Sequence, residues 1–239
     1  MKFNISAWRA WAPGLSTQED WLGWLADPQQ LSSQDAADVS FLPAMQRRRL
    51  SPLARMAFHV AWPLAEQSPK QPVVFCSRHG ETLRNLNLLK QMAEQEILSP
   101  THFSLSVHNA IIGLWSIFRQ DESEMTAIAA TQDGLEHAVI EAQLLLSSGA
   151  DSVLLIIAEE QQPELYLPWI KDVPFAYALA LQLTRGDAWS LSLSLSKEPP
   201  TLKKQAWPHA LSLLPLLLKQ ATQVTHSVDT RCWQWQVTL

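Results

Sequence analysis

Met125-Thr126-Ala127-Ile128-Ala129-Ala130-Thr131-Gln132-Asp133-Gly134-Leu135-Glu136-His137-Ala138-Val139 decides the fold. Thr126–Ala130 reads as a strand, Ala129–Gly134 as a tight elbow, and Leu135–Leu146 as a helix. Leu135, Ala138, Val139, Ala142, Leu145 and Leu146 keep a helical period with one face inward, and Gly149 stands near the stop. Val153–Ala158 then forms a wholly apolar run, the pattern of a strand buried on both faces.

The same alternation extends upstream. Val73–Cys76 is a second short buried strand, and Glu81–Glu96 reads as a helix with Leu83, Leu86, Leu89 (or Lys90) and Ala93 on one face. Thr101–Phe118 reads as one helix through Phe103, Val107, Ala110, Ile111, Leu114 and Phe118. Nearer the start come a strand at Phe3–Ala7, a helix at Gln18–Leu25 capped by Thr17, a loop at Ala26–Ser40, and a helix from Met45 or Ser51 to Ala61. Downstream, Ala176–Leu183 and Ala188–Ser196 flank Arg185-Gly186-Asp187 and predict an antiparallel hairpin, with Leu191, Leu193 and Leu195 on one face. A linker at Lys197–Gln205, a helix at Pro208–Gln223 and a strand at Cys232–Leu239 complete the chain. Strands alternating with helices predict α/β architecture with a mixed sheet.

Composition narrows the function classes. The chain has 239 residues, 47% hydrophobic and 17% charged, enough for a core without staples. Cys76 and Cys232 are its only cysteines, too few for a disulfide framework or a cysteine zinc site. His102 and His108 lack metal-ligand spacing; no metal or cofactor is expected. A net charge of −5 argues against a nucleic-acid surface, and no apolar run is long enough for a membrane span. A soluble, cytoplasmic protein is expected. Glycine is scarce: 7 residues, where average usage would give roughly 17.

Two motifs compete for the chemistry. Arg78-His79-Gly80-Glu81-Thr82 follows a buried strand and resembles the signature of histidine phosphatases and phosphoglycerate mutases. That resemblance implies His79 as phosphoryl acceptor and Arg78 as clamp, at a helix N-terminus. Against it, more than 70 residues precede the strand, and no other histidine is followed by glycine. A plain turn leading into a helix, with Glu81 in its first turn, is the other reading.

The second motif is longer. Ser99-Pro100-Thr101-His102-Phe103-Ser104-Leu105-Ser106-Val107-His108-Asn109-Ala110-Ile111-Ile112-Gly113 leads to the strand, elbow and helix already quoted, then to Ala150-Asp151-Ser152-Val153-Leu154. With the Phe75–Gly80 turn and Arg47-Arg48-Arg49-Leu50-Ser51, it resembles the N-terminal half of β-ketoacyl synthases over roughly Phe41–Glu160. The resemblance implies a thiolase-like fold, α/β/α layered, with a mixed sheet and a buried helix. It places a catalytic cysteine at the elbow, where the helix dipole favours thiolate.

This chain departs there. Counting forward from Asn109 and Gly113 puts Gln132 at the cysteine position; counting back from Gly134 puts Thr131 there. Neither can carry an acyl group as a thiolate does, and Asp133 would raise the pKa of any neighbouring acid. The family's catalytic histidines belong to a second half for which these 239 residues leave no room. The reading is therefore one truncated ketosynthase-like domain over 1–239, with a C-terminal hairpin, helix and strand in 175–239.

Gln at the nucleophile position is similar to the chain-length factors of type II polyketide systems, here those of aryl-polyene clusters. The resemblance implies a non-catalytic subunit paired with a full-length β-ketoacyl synthase in polyketide or fatty-acid-type elongation. Phe103, Val107, Asn109, Ile111, Trp115 and Gln132 would then face the partner or its acyl tunnel, although ordinary core is the commoner role for such side chains. Arg47, Arg48, Arg49 and Arg55 could attract an acidic acyl carrier protein, or simply form a solvated face.

Overall fold

The computed structural model describes residues 1–28, 31, 35–67, 70–196 and 207–238; the expected linker at Lys197–Gln205 lies outside them. The chain begins with strand β1 (Lys2–Trp11) and helix α1 (Gln18–Ala26). A capping box starts α1: Thr17 Oγ1 accepts from the Asp20 amide at 3.1 Å, and the Asp20 carboxylate accepts from the Thr17 amide at 2.8 Å. A single turn, α2 (Ala44–Arg47), precedes α3 (Pro52–Gln67), which Pro52 opens and which runs on past Pro63. Strand β2 (Val73–Cys76) leads to α4 (Thr82–Ala93), α5 (Pro100–Ser104) and α6 (Ala110–Arg119). The elbow unit follows as β3 (Met125–Ile128), α7 (Gly134–Ser147) and β4 (Ser152–Glu159). Then come β5 (Tyr177–Leu195), a 3-10 segment at His209–Leu213, α8 (Leu214–Leu217), β6 (Gln223–Val228) and β7 (Arg231–Val237).

The strands order as β3-β2-β4-β5-β7-β6, with β1 also on β5. β3, β2 and β4 are parallel and the remaining pairings antiparallel, so the sheet is mixed as expected. Strand periodicity sorts the core onto two faces. Val74, Cys76, Leu155, Ile157, Leu179 and Leu181 pack with α7. Val73, Phe75, Leu154, Ile156, Ala178 and Ala180 pack with α3 and α6.

Four expectations are corrected. The 176–196 hairpin is one continuous strand: β1 pairs across both its halves, with Asn4 opposite Thr184 and Phe3 opposite Trp189, so residues 185–188 bulge out. Asn4 fills the bulge. Its side chain occupies the space a Cβ on Gly186 would need, and its Oδ1 accepts from the Ala188 amide at 3.0 Å.

The helix at 101–118 breaks into α5 and α6. Ser106 turns its hydroxyl back to the Phe103 carbonyl, Asn85 takes the Ser106 carbonyl, and His108 bonds the Ser77 carbonyl at 2.8 Å. In α4 the buried apolar residues are Leu86 and Leu88, whereas Leu89 is exposed. The 208–223 helix reduces to the 3-10 segment and α8, ended by Lys219 in the left-handed region, and β6 follows as a strand the periodicity concealed.

The bulge has a consequence for α7. Thr184 lies opposite Ser152, at the start of β4, while Arg231, paired with Leu195 at the end of β5, reaches Asp133 at the start of α7. The outer half of β5, with β7 and β6, thus reaches the head of α7, and Leu191, Trp233 and Trp235 join its core cluster.

Candidate functional site

The elbow opens on β3, an end strand of the sheet that pairs with β2 and is half-buried on both faces. Thr131 and Gln132 are exposed on the loop after it; Asp133 is buried. The Asp133 carboxylate accepts from Arg231 Nε (2.6 Å), Trp233 Nε1 (3.0 Å) and Thr131 Oγ1 (3.1 Å). Burial pushes its pKa up, but these donors outweigh burial and hold it below the usual carboxylate range. Gly134 allows a close approach, since a Cβ there would stand 3.0 Å from Cys76 Sγ. Cys76 donates to the Gly134 carbonyl, and burial, with Glu159 and Glu136 nearby, pushes its thiol up to about 12. That sulfur is an inert core group, not a nucleophile.

Arg78 and His79 lie at the end of β2, but their surroundings do not form a phosphate site. Glu159, the last residue of β4, accepts from the Arg78 and His79 amides and the Ser77 hydroxyl. Arg78 Nη1 and His79 Nε2 both turn to Asp172, at 2.8 and 3.4 Å. At the head of α4 the Leu83 amide is taken by Glu160 at 3.3 Å. Carboxylates already occupy the donors a phosphoryl group would need, and the histidine phosphatase expectation is not supported.

The sequence reading missed this acidic edge. Its available signal was Glu159-Glu160 ending an otherwise apolar strand. Burial pushes the Glu159 pKa up to about 7 in spite of its hydrogen bonds. Burial, and then Glu81 beside it, pushes Glu160 up to about 7 as well. Glu81 is itself raised by burial, with Ser51 and Arg84 donating to it.

The residues expected at a tunnel or interface do not converge. Ile111 (2% exposed) and Trp115 (1%) belong to the core, where Trp115 packs edge-on against Phe58 and Trp62. Phe103 (63%) and Val107 (47%) face outward, and Leu89, Met92 and Ile97 of the same α4–α5 region are also exposed. Asn109 stands at the head of α6 without a capping bond, and Gln132 is exposed at the elbow. Among the arginines, Arg55 donates to the Arg47 carbonyl and Arg49 lies over the Phe118 ring. Arg48 lines an open groove of about 600 Å³ with Arg84, Lys90, His102, Glu81 and Glu160.

One cluster among the described residues has donors suited to a metal: Glu136 on α7, His209 and His226. Trp235 Nε1 donates to the same Glu136 at 3.0 Å. Asp133 and Glu136, within one turn of each other, thus tie the returning C-terminal strands to the head of α7.

The model of the β-ketoacyl synthase N-terminal domain matches residues 21–236. Among solved structures, a chain of the Xenorhabdus doucetiae ketosynthase (ApeO) in complex with its chain length factor (ApeC) is similar at 31% identity and a TM-score of 0.85, with 99% of each chain covered. The ishigamide ketosynthase/chain length factor matches at 12% identity and a TM-score of 0.62, covering 82% of this chain and 68% of that one. A β-ketoacyl synthase from Burkholderia phymatum matches at 11% and 0.59, covering 92% and 70%. Comparison with curated proteins finds no match.

Proposed function

The chain belongs to the family of the β-ketoacyl synthase N-terminal domain, with its thiolase-like fold, and from that membership we propose that it is a chain-length-factor-like subunit. It pairs with a full-length β-ketoacyl synthase, which carries out the decarboxylative condensation on malonyl carrier protein, while this chain stabilises the pair and delimits the growing acyl chain. The observation that carries the reading is the elbow. Its two candidate nucleophile positions hold Thr131 and Gln132, and Asp133 beside them is ionised and spoken for by Arg231 and Trp233. The head of α7, which in a ketosynthase would favour a thiolate, here faces carboxylates.

Two further features support it. The Xenorhabdus chain matched end to end belongs to a ketosynthase–chain length factor complex. The returning strands β6 and β7 also close over the first turn of α7, where Asp133 and Glu136 hold Arg231, Trp233 and Trp235. The open β3 edge and the exposed Phe103–Val107 side then meet the partner, Ile111 and Trp115 support that surface from the core, and Arg48 and Arg49 are left to guide an acidic carrier protein. The free thiols Cys76 and Cys232 suit a reducing cytoplasm.

The test is co-expression with a full-length β-ketoacyl synthase from the same source, followed by sizing and a condensation assay. We expect one stable complex, with condensation surviving Gln132→Ala and Thr131→Ala and failing when this chain is left out. Elution of this chain as a stable monomer beside an active ketosynthase overturns the proposal.

A further inference from the structure

We propose that Glu136, His209 and His226 form a binding site for a divalent transition-metal ion, zinc foremost, which fastens the returning C-terminal strands to the head of α7. The three residues come from distant parts of the chain: α7, the 3-10 segment and β6. Their potential ligand atoms nevertheless all lie within 4.8 Å of one another. His209 Nε2 stands 2.7 Å and His226 Nδ1 3.4 Å from Glu136 Oε1. The Glu136 side chain is wholly buried (0% exposed), and its second oxygen, Oε2, has no hydrogen-bond partner; nor does His226 Nδ1.

Protons alone satisfy this arrangement poorly. Trp235 Nε1 and His209 Nε2 both point at Oε1, which leaves Oε2 and the second imidazole nitrogen unmatched in the interior. The two rings stack face to face, with centroids 3.1 Å apart and planes 16° from parallel.

A divalent cation accepts the lone pairs that protons leave over. Two imidazoles and a carboxylate are a recurrent zinc set, at about 2.0–2.2 Å per ligand, with neighbouring ligand atoms around a tetrahedral ion about 3.3 Å apart. The His226–Glu136 separation already has that value. The His209–Glu136 separation must open by about 0.6 Å, and the rings must splay so that each lone pair meets the ion. Glu136 Oε2 or a water completes the shell.

The outer partners are those expected around metal ligands. Ser212 Oγ lies 3.3 Å from His209 Nδ1, which leaves Nε2 for the ion, and Trp235 orients the carboxylate. Residues so far apart in sequence carry no spacing motif, and the expectation of no metal site rested on spacing.

The test uses the full chain, without a histidine tag, stripped by chelator and then given zinc alone. Calorimetry and elemental analysis should show one zinc per chain, with a raised Tm. His209→Asn, His226→Asn and Glu136→Gln should each weaken zinc by about 100-fold or more, and Trp235→Phe by about tenfold. Near-UV circular dichroism checks that each metal-free variant is folded. Should the variants fail to fold, zinc anomalous scattering from wild-type crystals locates the ion directly. No stoichiometric uptake, uptake unchanged in both histidine variants, or an ion sited away from this cluster overturns the proposal.

Discussion

At Asp133 one buried carboxylate gathers Thr131 from its own loop and Arg231 and Trp233 from the C-terminal strand β7. Removing it leaves Arg231 unpaired and the Trp233 N–H unsatisfied in the core. Since Arg231 keeps some contact with water, Asp133→Ala should cost about 2–3 kcal/mol, read as a lower urea midpoint at unchanged slope. Because its folded pKa is depressed, this contribution is present at neutral pH and is lost as pH falls through that lowered value.

Glu160 behaves in the opposite sense. Its pKa rises from 4.5 unfolded to about 7 folded, so between those values the folded state holds more protons and stability falls as pH rises. A displacement of that size is worth at most about 3 kcal/mol. Glu160→Gln should therefore match wild type near pH 4, below the unfolded pKa, and exceed it by about 1–3 kcal/mol at pH 8. Urea unfolding at both values checks this, and a profile as steep as wild type's would refute it. The slope that remains belongs to Glu159, which titrates in the same window.

Among the elements, what local chemistry dictates was legible in sequence and what distant contacts dictate was not. Thr17 and Asp20 are three residues apart, and their capping box starts α1 where the sequence puts it. The elbow and α7 were legible because Gly134, Leu135, Ala138 and Val139 carry their own period. The break between α5 and α6 depends on Asn85 and Ser77, which no periodicity in 101–118 contains. Arg185-Gly186-Asp187 resembles a hairpin turn by every local rule, yet β1 pairs across it and Asn4 fills the bulge. The metal cluster and the acidic edge were hidden for the same reason. The bulge is testable: Gly186→Ala should destabilise by about 1–3 kcal/mol through collision with Asn4. In Asn4→Ala/Gly186→Ala the collision is gone, so the two costs should fall short of additive in urea unfolding. Strict additivity would mean that Asn4 does not hold the bulge.

The described molecule buries one face of its central helix and leaves other surfaces uncovered, Leu144 on α7 itself among them. The sheet lies under α7, and β7 and β6 reach its first turn through Trp233, Trp235 and His226. By contrast β3 ends the sheet as an open edge, and Leu89, Met92, Ile97, Phe103 and Val107 expose apolar surface on the α4–α5 region. An open strand edge and exposed apolar side chains are liabilities in a lone chain, and the proposed ketosynthase partner would cover them. Binding to the folded state alone raises the apparent Tm with partner concentration. Phe103→Asp separates this role from folding, because the ring is exposed and its loss opens no cavity. The variant should keep the Tm of the isolated chain and weaken the complex by at least about tenfold, or about 1.4 kcal/mol. Ile111→Ala, within the core, should show the reverse order: about 2–4 kcal/mol of lost stability and a smaller effect on affinity. Thermal unfolding of each isolated variant measures the stability, and calorimetric titration of the folded variant against the ketosynthase measures the affinity. If Phe103→Asp binds like wild type, the α4–α5 side is not the contact surface, and the partner must be sought along the end strands of the sheet, β3 first.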